Sequence, residues 1–108
     1  MSARREQLER LLADEPNDPS LRYGLAMEYG REGDDAKLVE GLLSLAQESP
    51  EYVPAYFHGA QGLLRLGRAD EAKRFLQGGI AQALRAGDQH AAEEIGRASC
   101  RERVYVLV

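Results

Sequence analysis

The chain has 108 residues, a formal charge of −4 and one cysteine. That length suits one small domain with no room for a second core. The acidic balance argues against a nucleic-acid footprint, which needs clustered Lys and Arg, and a lone cysteine excludes a disulfide framework or a Cys-based zinc site.

The first helix is expected from about Ser2 to Ala13, with Ser2 as N-cap and Leu8, Leu11 and Leu12 as its buried stripe. Asp14-Glu15-Pro16-Asn17-Asp18-Pro19 then forbids helix, because each proline removes a donor and restricts the residue before it. Asp18 can cap a second helix that has Pro19 at its first position, runs to about Arg31 and stops at Gly33. A third, capped by Asp34 or Asp35, reaches about Ser49 before Pro50. The fourth spans about Val53 to Leu66 and ends at Gly67; the fifth spans about Ala69 to Ala86 and stops at Gly87. Asp88 would cap a sixth helix beginning Gln89-His90-Ala91-Ala92-Glu93.

Two further limits come from the same pass. Nowhere do roughly 18 apolar residues run together, as a bilayer span requires. The first residues include two arginines, Arg4 and Arg5, but Glu6, Glu9 and Arg10 interrupt any apolar segment that could serve as a signal peptide, so a cytoplasmic protein is expected.

The segments repeat. Pro16 and Pro50 stand 34 residues apart, as do Gly33 and Gly67. Between them Leu8, Leu42 and Leu76 fall in one column, and so do Leu11, Leu45 and Gly79; Leu12, Ala46 and Ile80; Leu25 and Gly59; Ala26 and Ala60; Tyr29 and Leu63. Offsets of three and four return to one side of a helix, so each set of columns is a helix face. A fixed period of this length marks stacked helical hairpins, none of which buries its apolar face alone.

The second copy, with Ala55-Tyr56, Ala60, Leu63, Gly67, Ala72, Leu76 and Ile80, resembles the tetratricopeptide repeat family, whose unit is a pair of antiparallel helices A and B. The first copy departs from the pattern: Arg22 replaces the opening aromatic and Leu38 replaces the small residue where B crosses A. Leu38 is therefore expected to push its helix outward or tilt it. Gly78-Gly79 inside the fifth helix calls for a closely approaching neighbour, for which the sixth helix is the candidate.

The resemblance implies an all-α, short right-handed solenoid: units of about 19–52 and 53–86, a preceding half-repeat helix over 2–15 and the start of a capping helix over 88–93. Residues 94–104, Glu-Ile-Gly-Arg-Ala-Ser-Cys-Arg-Glu-Arg-Val, resemble a translated sequencing adapter instead. Residues 94–108 are accordingly expected to be a non-native tail that truncates or corrupts the sixth helix.

For function, the resemblance implies a protein-interaction module. Its A helices would line a concave groove for an extended peptide or a partner helix. Carried over by position, the groove presents Tyr23, Met27 and Arg31 from the first A helix and Phe57, Gln61, Leu64 and Arg65 from the second, with His58 nearby. Offsets of four put each set on one stripe, and two arginines beside aromatic and thioether groups suit an apolar ligand with an acidic group. The family's carboxylate clamp, Lys and Asn at the early groove positions, is absent, which argues against a C-terminal chaperone tail as ligand.

Plainer roles compete at each position. Tyr23 and Phe57 can pack into the core, Met27 can fill a gap, and Arg31 and Arg65 can each meet the last carbonyls of their own helix. Tyr52 and Tyr56, at the repeat junction, read as structural.

An enzyme is not expected, and neither is a cofactor or metal. His90 and Glu93 sit three apart, but a metal needs three or four ligands and His58 is on a different helix. Gly24, Gly30 and Gly33 lie in a helix and its end, with no strand before them, so they are not a phosphate loop. The alternative reading is a structural subunit acting through homodimerisation; weak self-association fits either reading. No partner identity follows from the residues, and neither a nucleic acid nor a membrane is implied.

Overall fold

The computed structural model describes residues 3–101. Six helices follow one another: α1 Ala3–Asp14, α2 Pro19–Arg31, α3 Asp35–Glu48, α4 Pro54–Arg65, α5 Ala69–Arg85 and α6 Gln89–Arg101. No strand occurs among the described residues. The Ser2 cap expected for α1 lies outside them.

The punctuation works as the residue types require. The Asp18 carboxylate accepts from the Ser20 and Leu21 amides at 2.9 and 3.2 Å, with Pro19 opening α2. Asp34, not Asp35, caps α3 by accepting from the Lys37 amide at 3.0 Å, and Asp88 caps α6 through the Ala91 amide at 3.0 Å. Each satisfies amides that the first turn leaves without partners. Gly33 and Gly67 close the turns after α2 and α4 with φ of 85° and 78°, a left-handed conformation that other residues adopt at a cost.

Each helix packs on the next, so α3 is held between α2 and α4, and α5 between α4 and α6. One core gathers Ala26 from α2, Leu38, Leu42 and Leu45 from α3, and Ala55 from α4. A second gathers Val39, Ala60, Leu63, Ala72, Leu76 and Ile95 across α3 to α6. Close approach is built from small residues: a Cβ on Gly41 would stand 3.1 Å from that of Ala26.

Several expectations from the sequence meet the structure here. The first concerns α1, which has no buried residue: Leu8 and Leu12 are half-buried, and Leu11 is 45% exposed. Leu45, in the same repeat column, is fully buried because α3 has a helix on both sides, whereas α1 packs mainly on α2.

Second, the room for Leu38 comes from its neighbours. Leu38 is buried against glycines, since a methyl at either Gly30 on α2 or Gly62 on α4 would come within 3.1 Å of its Cδ2. The facing helices carry glycine where α3 carries leucine.

Third, the neighbour that Gly78 and Gly79 admit is Tyr56 of α4, not the sixth helix. A Cβ at Gly79 would lie 2.5 Å from the Tyr56 Cβ and 2.9 Å from its Cγ.

Fourth, the sixth helix runs from Gln89 to Arg101, so it continues past Glu94, and residues 102–108 of the tail expected over 94–108 lie outside the described residues. Nothing in Glu-Ile-Gly-Arg breaks a helix as proline would, and Ile95 falls three and four residues beyond Ala92 and Ala91, so it turns inward and is buried.

The opening position of helix A is anchored differently in the two units. Tyr56 is buried, donates its hydroxyl to the Pro50 carbonyl at 2.9 Å and packs on Phe75 with ring centroids 4.8 Å apart. Arg22, in the matching place of the first unit, pairs with Glu48 and donates to the Ser44 hydroxyl at 3.0 Å, tying α2 to α3 through polar contacts instead.

Candidate interaction groove

One side of the stack is lined by α2, α4 and α6, with ring contacts between α2 and α4 and a groove between α4 and α6. Tyr23 of α2 is half-buried and leans on Tyr52, in the turn before α4, with centroids 5.4 Å apart. On its other side Tyr23 meets His58 of α4 at 5.8 Å, and His58 meets the edge of Phe57 at 4.9 Å. Four rings therefore form one strip that crosses from one unit to the next.

Phe57 and His58 open into a groove of about 800 Å³ between α4 and α6, whose far wall includes Asp88, Ala91 and Ile95. Ala91 stands 34 residues after Phe57, and Ile95 34 after Gln61, so the repeat period continues into α6.

The groove candidates are arranged in two classes. Tyr23 and Met27 pack on the first core, and Phe57 and Leu64 pack on the second, each half-buried. Gln61 and His58 are also half-buried on α4. Arg31 and Arg65 are exposed and already paired: Arg31 donates to Glu28 at 2.6 Å on its own helix, and Arg65 donates to Asp35 at 2.9 Å on α3. Their common spacing does not give them a common environment.

Burial holds the His58 imidazole below the ordinary histidine range; the field of Arg65 acts in the same direction, and a hydrogen bond with Gln61 opposes both. The ring is thus neutral at neutral pH. Burial pushes the Tyr23 phenol up; Tyr52 adds to this and Arg31 opposes it. Tyr23 and His58 therefore add no charge to the strip at neutral pH.

Sequence reasoning set Tyr52 aside as structural and did not include Ala91 or Asp88. The continued 34-residue spacing was the signal for Ala91. Nothing in the sequence marks Tyr52, which reaches the strip because the turn before α4 lies against α2.

His90 and Glu93, weighed as metal ligands, take other partners: His90 approaches Glu94 at 3.2 Å and Gln89 donates to Glu93 at 3.3 Å. No group of three or more His, Cys, Asp or Glu among the described residues is placed to hold a metal. None of the described helices is long and apolar enough to cross a membrane.

No family model and no curated protein sequence matches the chain. Solved structures do. A protein of Bordetella parapertussis, determined in solution, superimposes with a TM-score of 0.79 at 25% identity, covering 95% of this chain and 90% of its own. MamA shares the fold at 22% identity and a TM-score of 0.62, over 90% of this chain and 61% of that one. A tetratricopeptide repeat domain protein from Salinibacter ruber, also determined in solution, is 30% identical with a TM-score of 0.75, covering 81% of this chain and 88% of that one. With the hairpins, the 34-residue period and the crossing glycines all in place, this chain belongs to the tetratricopeptide repeat family.

Proposed function

We propose that the chain is an adaptor module that takes an extended peptide or a partner helix along the α2, α4 and α6 side. The observation that carries this reading is the strip Tyr52, Tyr23, His58 and Phe57, which crosses between repeat units and leads into an open groove. Aromatic rings supply rigid contact area at low entropic cost, and the groove sets Val53, Pro54, Phe57, Ala91 and Ile95 beside His58, Asp88, Glu94 and Arg97, so apolar contact is combined with polar groups that can orient a ligand.

Met27, Gln61 and Leu64 extend the surface, with Arg31 and Arg65 at its edge. Because both arginines already hold carboxylates, an acidic group on the ligand would have to exchange with Glu28 or Asp35, which favours a predominantly apolar ligand over a strongly acidic one. No catalytic step belongs to this reading.

Quantitative affinity capture with the intact chain and with His58→Glu/Gln61→Arg tests it. Both substitutions sit on half-buried surface positions, and thermal melting controls for folding. The proposal requires that captured partners be lost from the variant while it remains folded; an unchanged partner set overturns it.

Exposed Leu11, Leu66 and Leu84 favour the second reading, a structural subunit that pairs with its own copy. Light scattering across a concentration series separates the two, because a monomer at every concentration excludes the dimer.

A further inference from the structure

Helix α1 is attached differently from every other helix in the stack. It buries no residue, and its apolar contact is thin: half-buried Leu8 and Leu12, with Leu8 lying over Gly24 so that a Cβ there would stand 3.4 Å from its Cδ2. Ion pairs and a cation–ring contact add to it. Arg4 approaches Glu28 at 3.4 Å, Arg5 approaches Glu32 at 3.2 Å, and the Arg5 guanidinium lies 5.5 Å from the centre of the Tyr29 ring.

Two of these partners on α2 are each shared with a second cation that does not belong to α1. Glu28, buried to 7% exposure, also holds Arg31 at 2.6 Å. The Tyr29 ring also faces the Lys37 ammonium at 5.0 Å. Abandoning a buried carboxylate is costly, but a carboxylate that keeps one of two cations is not abandoned. If α1 leaves, Glu28 retains Arg31 and Tyr29 retains Lys37.

We propose that α1 is a strap which releases as a unit when its charges are screened or drawn away, while α2 to α5 stay folded. Release uncovers the Gly24 and Leu25 side of α2 and widens the slot of about 450 Å³ that Leu12 now shares with Leu25, Ala26, Tyr29 and Gly41. Once free, a 12-residue helix has little stability of its own, so undocking and unfolding of α1 coincide. The Glu15–Asp18 turn is the hinge.

Hydrogen exchange read by mass spectrometry on the full chain tests this at 20 mM and 500 mM NaCl, between which the screening length falls from about 20 Å to about 4 Å. The expected result is that α1 amides lose about tenfold in protection at high salt while α3 and α4 amides do not change. Arg4→Gln/Arg5→Gln should show at low salt the α1 protection that the unaltered chain shows at high salt. Gly24→Leu, which drives a side chain into Leu8, should free α1 at both salts. If the variants unfold globally, seen as lost protection in α3, the salt series on the unaltered chain decides alone. Protection of α1 that is the same at both salts, or that falls only together with that of α3, overturns the proposal.

Discussion

The Tyr56 Cβ occupies the space into which a side chain at position 79 would project. A methyl there would meet it at 2.5 Å, and a Cβ cannot swing aside as a side-chain tip can. Gly78, one residue earlier on α5, faces only the ring edge, where a Cβ would sit at an ordinary 3.5 Å. Alanine substitutions at these adjacent glycines should therefore have opposite signs. Gly78→Ala should stabilise by about 0.5–1 kcal/mol through helix propensity. Gly79→Ala should destabilise by about 1–2 kcal/mol, because overpacking exceeds the same propensity gain. Urea denaturation of both variants checks the pair, and a shared sign would show that α4 and α5 can separate freely.

Leu38 and Gly30 should be energetically coupled. Leu38→Ala leaves a cavity in a fully packed layer and should cost about 2–5 kcal/mol. Gly30→Ala brings its methyl to 3.1 Å from Leu38 in the unaltered chain, but once Leu38 has been shortened the same methyl fills vacated space. A double-mutant cycle should return a favourable coupling of about 0.5–2 kcal/mol, while additivity would mean that the two sites do not share this volume.

His58 should make stability fall under mild acid. Its folded pKa lies below that of the unfolded chain, so the unfolded state takes up the proton first as pH drops through about 6.5. Stability is therefore full above that value and declines below it, until the folded pKa is passed and the slope ends. Melting temperatures from pH 7.5 to 5.0 should fall more steeply for the unaltered chain than for His58→Gln; identical slopes would place the titration elsewhere.

Removing the α2 cap should weaken the first unit. Asp18 satisfies two amides at once, so Asp18→Ala should cost about 1 kcal/mol and Asp18→Asn less, since the amide oxygen still accepts. Chemical denaturation measures both, and equal losses would point to charge at the helix start rather than to the hydrogen bonds.

Helix limits were legible because they depend on local chemistry: Asp18, Asp34 and Asp88 announce starts, Gly33 and Gly67 announce stops, and each acts on backbone groups within a few residues. The apolar columns were legible wherever a helix has neighbours on both sides, as for Leu42 and Leu76. The pattern misjudged Leu11, because periodicity identifies a face but not whether anything lies against it. Partners across helices were the least legible. That Tyr56 would lie on Gly79, that Gly30 and Gly62 would both face Leu38, and that Tyr52 would join Tyr23 all follow from crossing geometry, which the repeat period does not contain. Among the groove candidates, spacing grouped Arg31 with Arg65 but did not reveal that one answers to its own helix and the other to α3.

The seating of Leu38 has a consequence for how this solenoid can be altered. Gly30 comes from the first hairpin and Gly62 from the second, so the lock spans a joint rather than lying within one brick. The residue of the first hairpin that corresponds to Gly62 is Glu28. An array made by copying the first hairpin end to end would set a carboxylate against leucine at every seam. These two hairpins are lock and key in a fixed order, and lengthening the protein would require inserting units whose seams carry glycine in the same place.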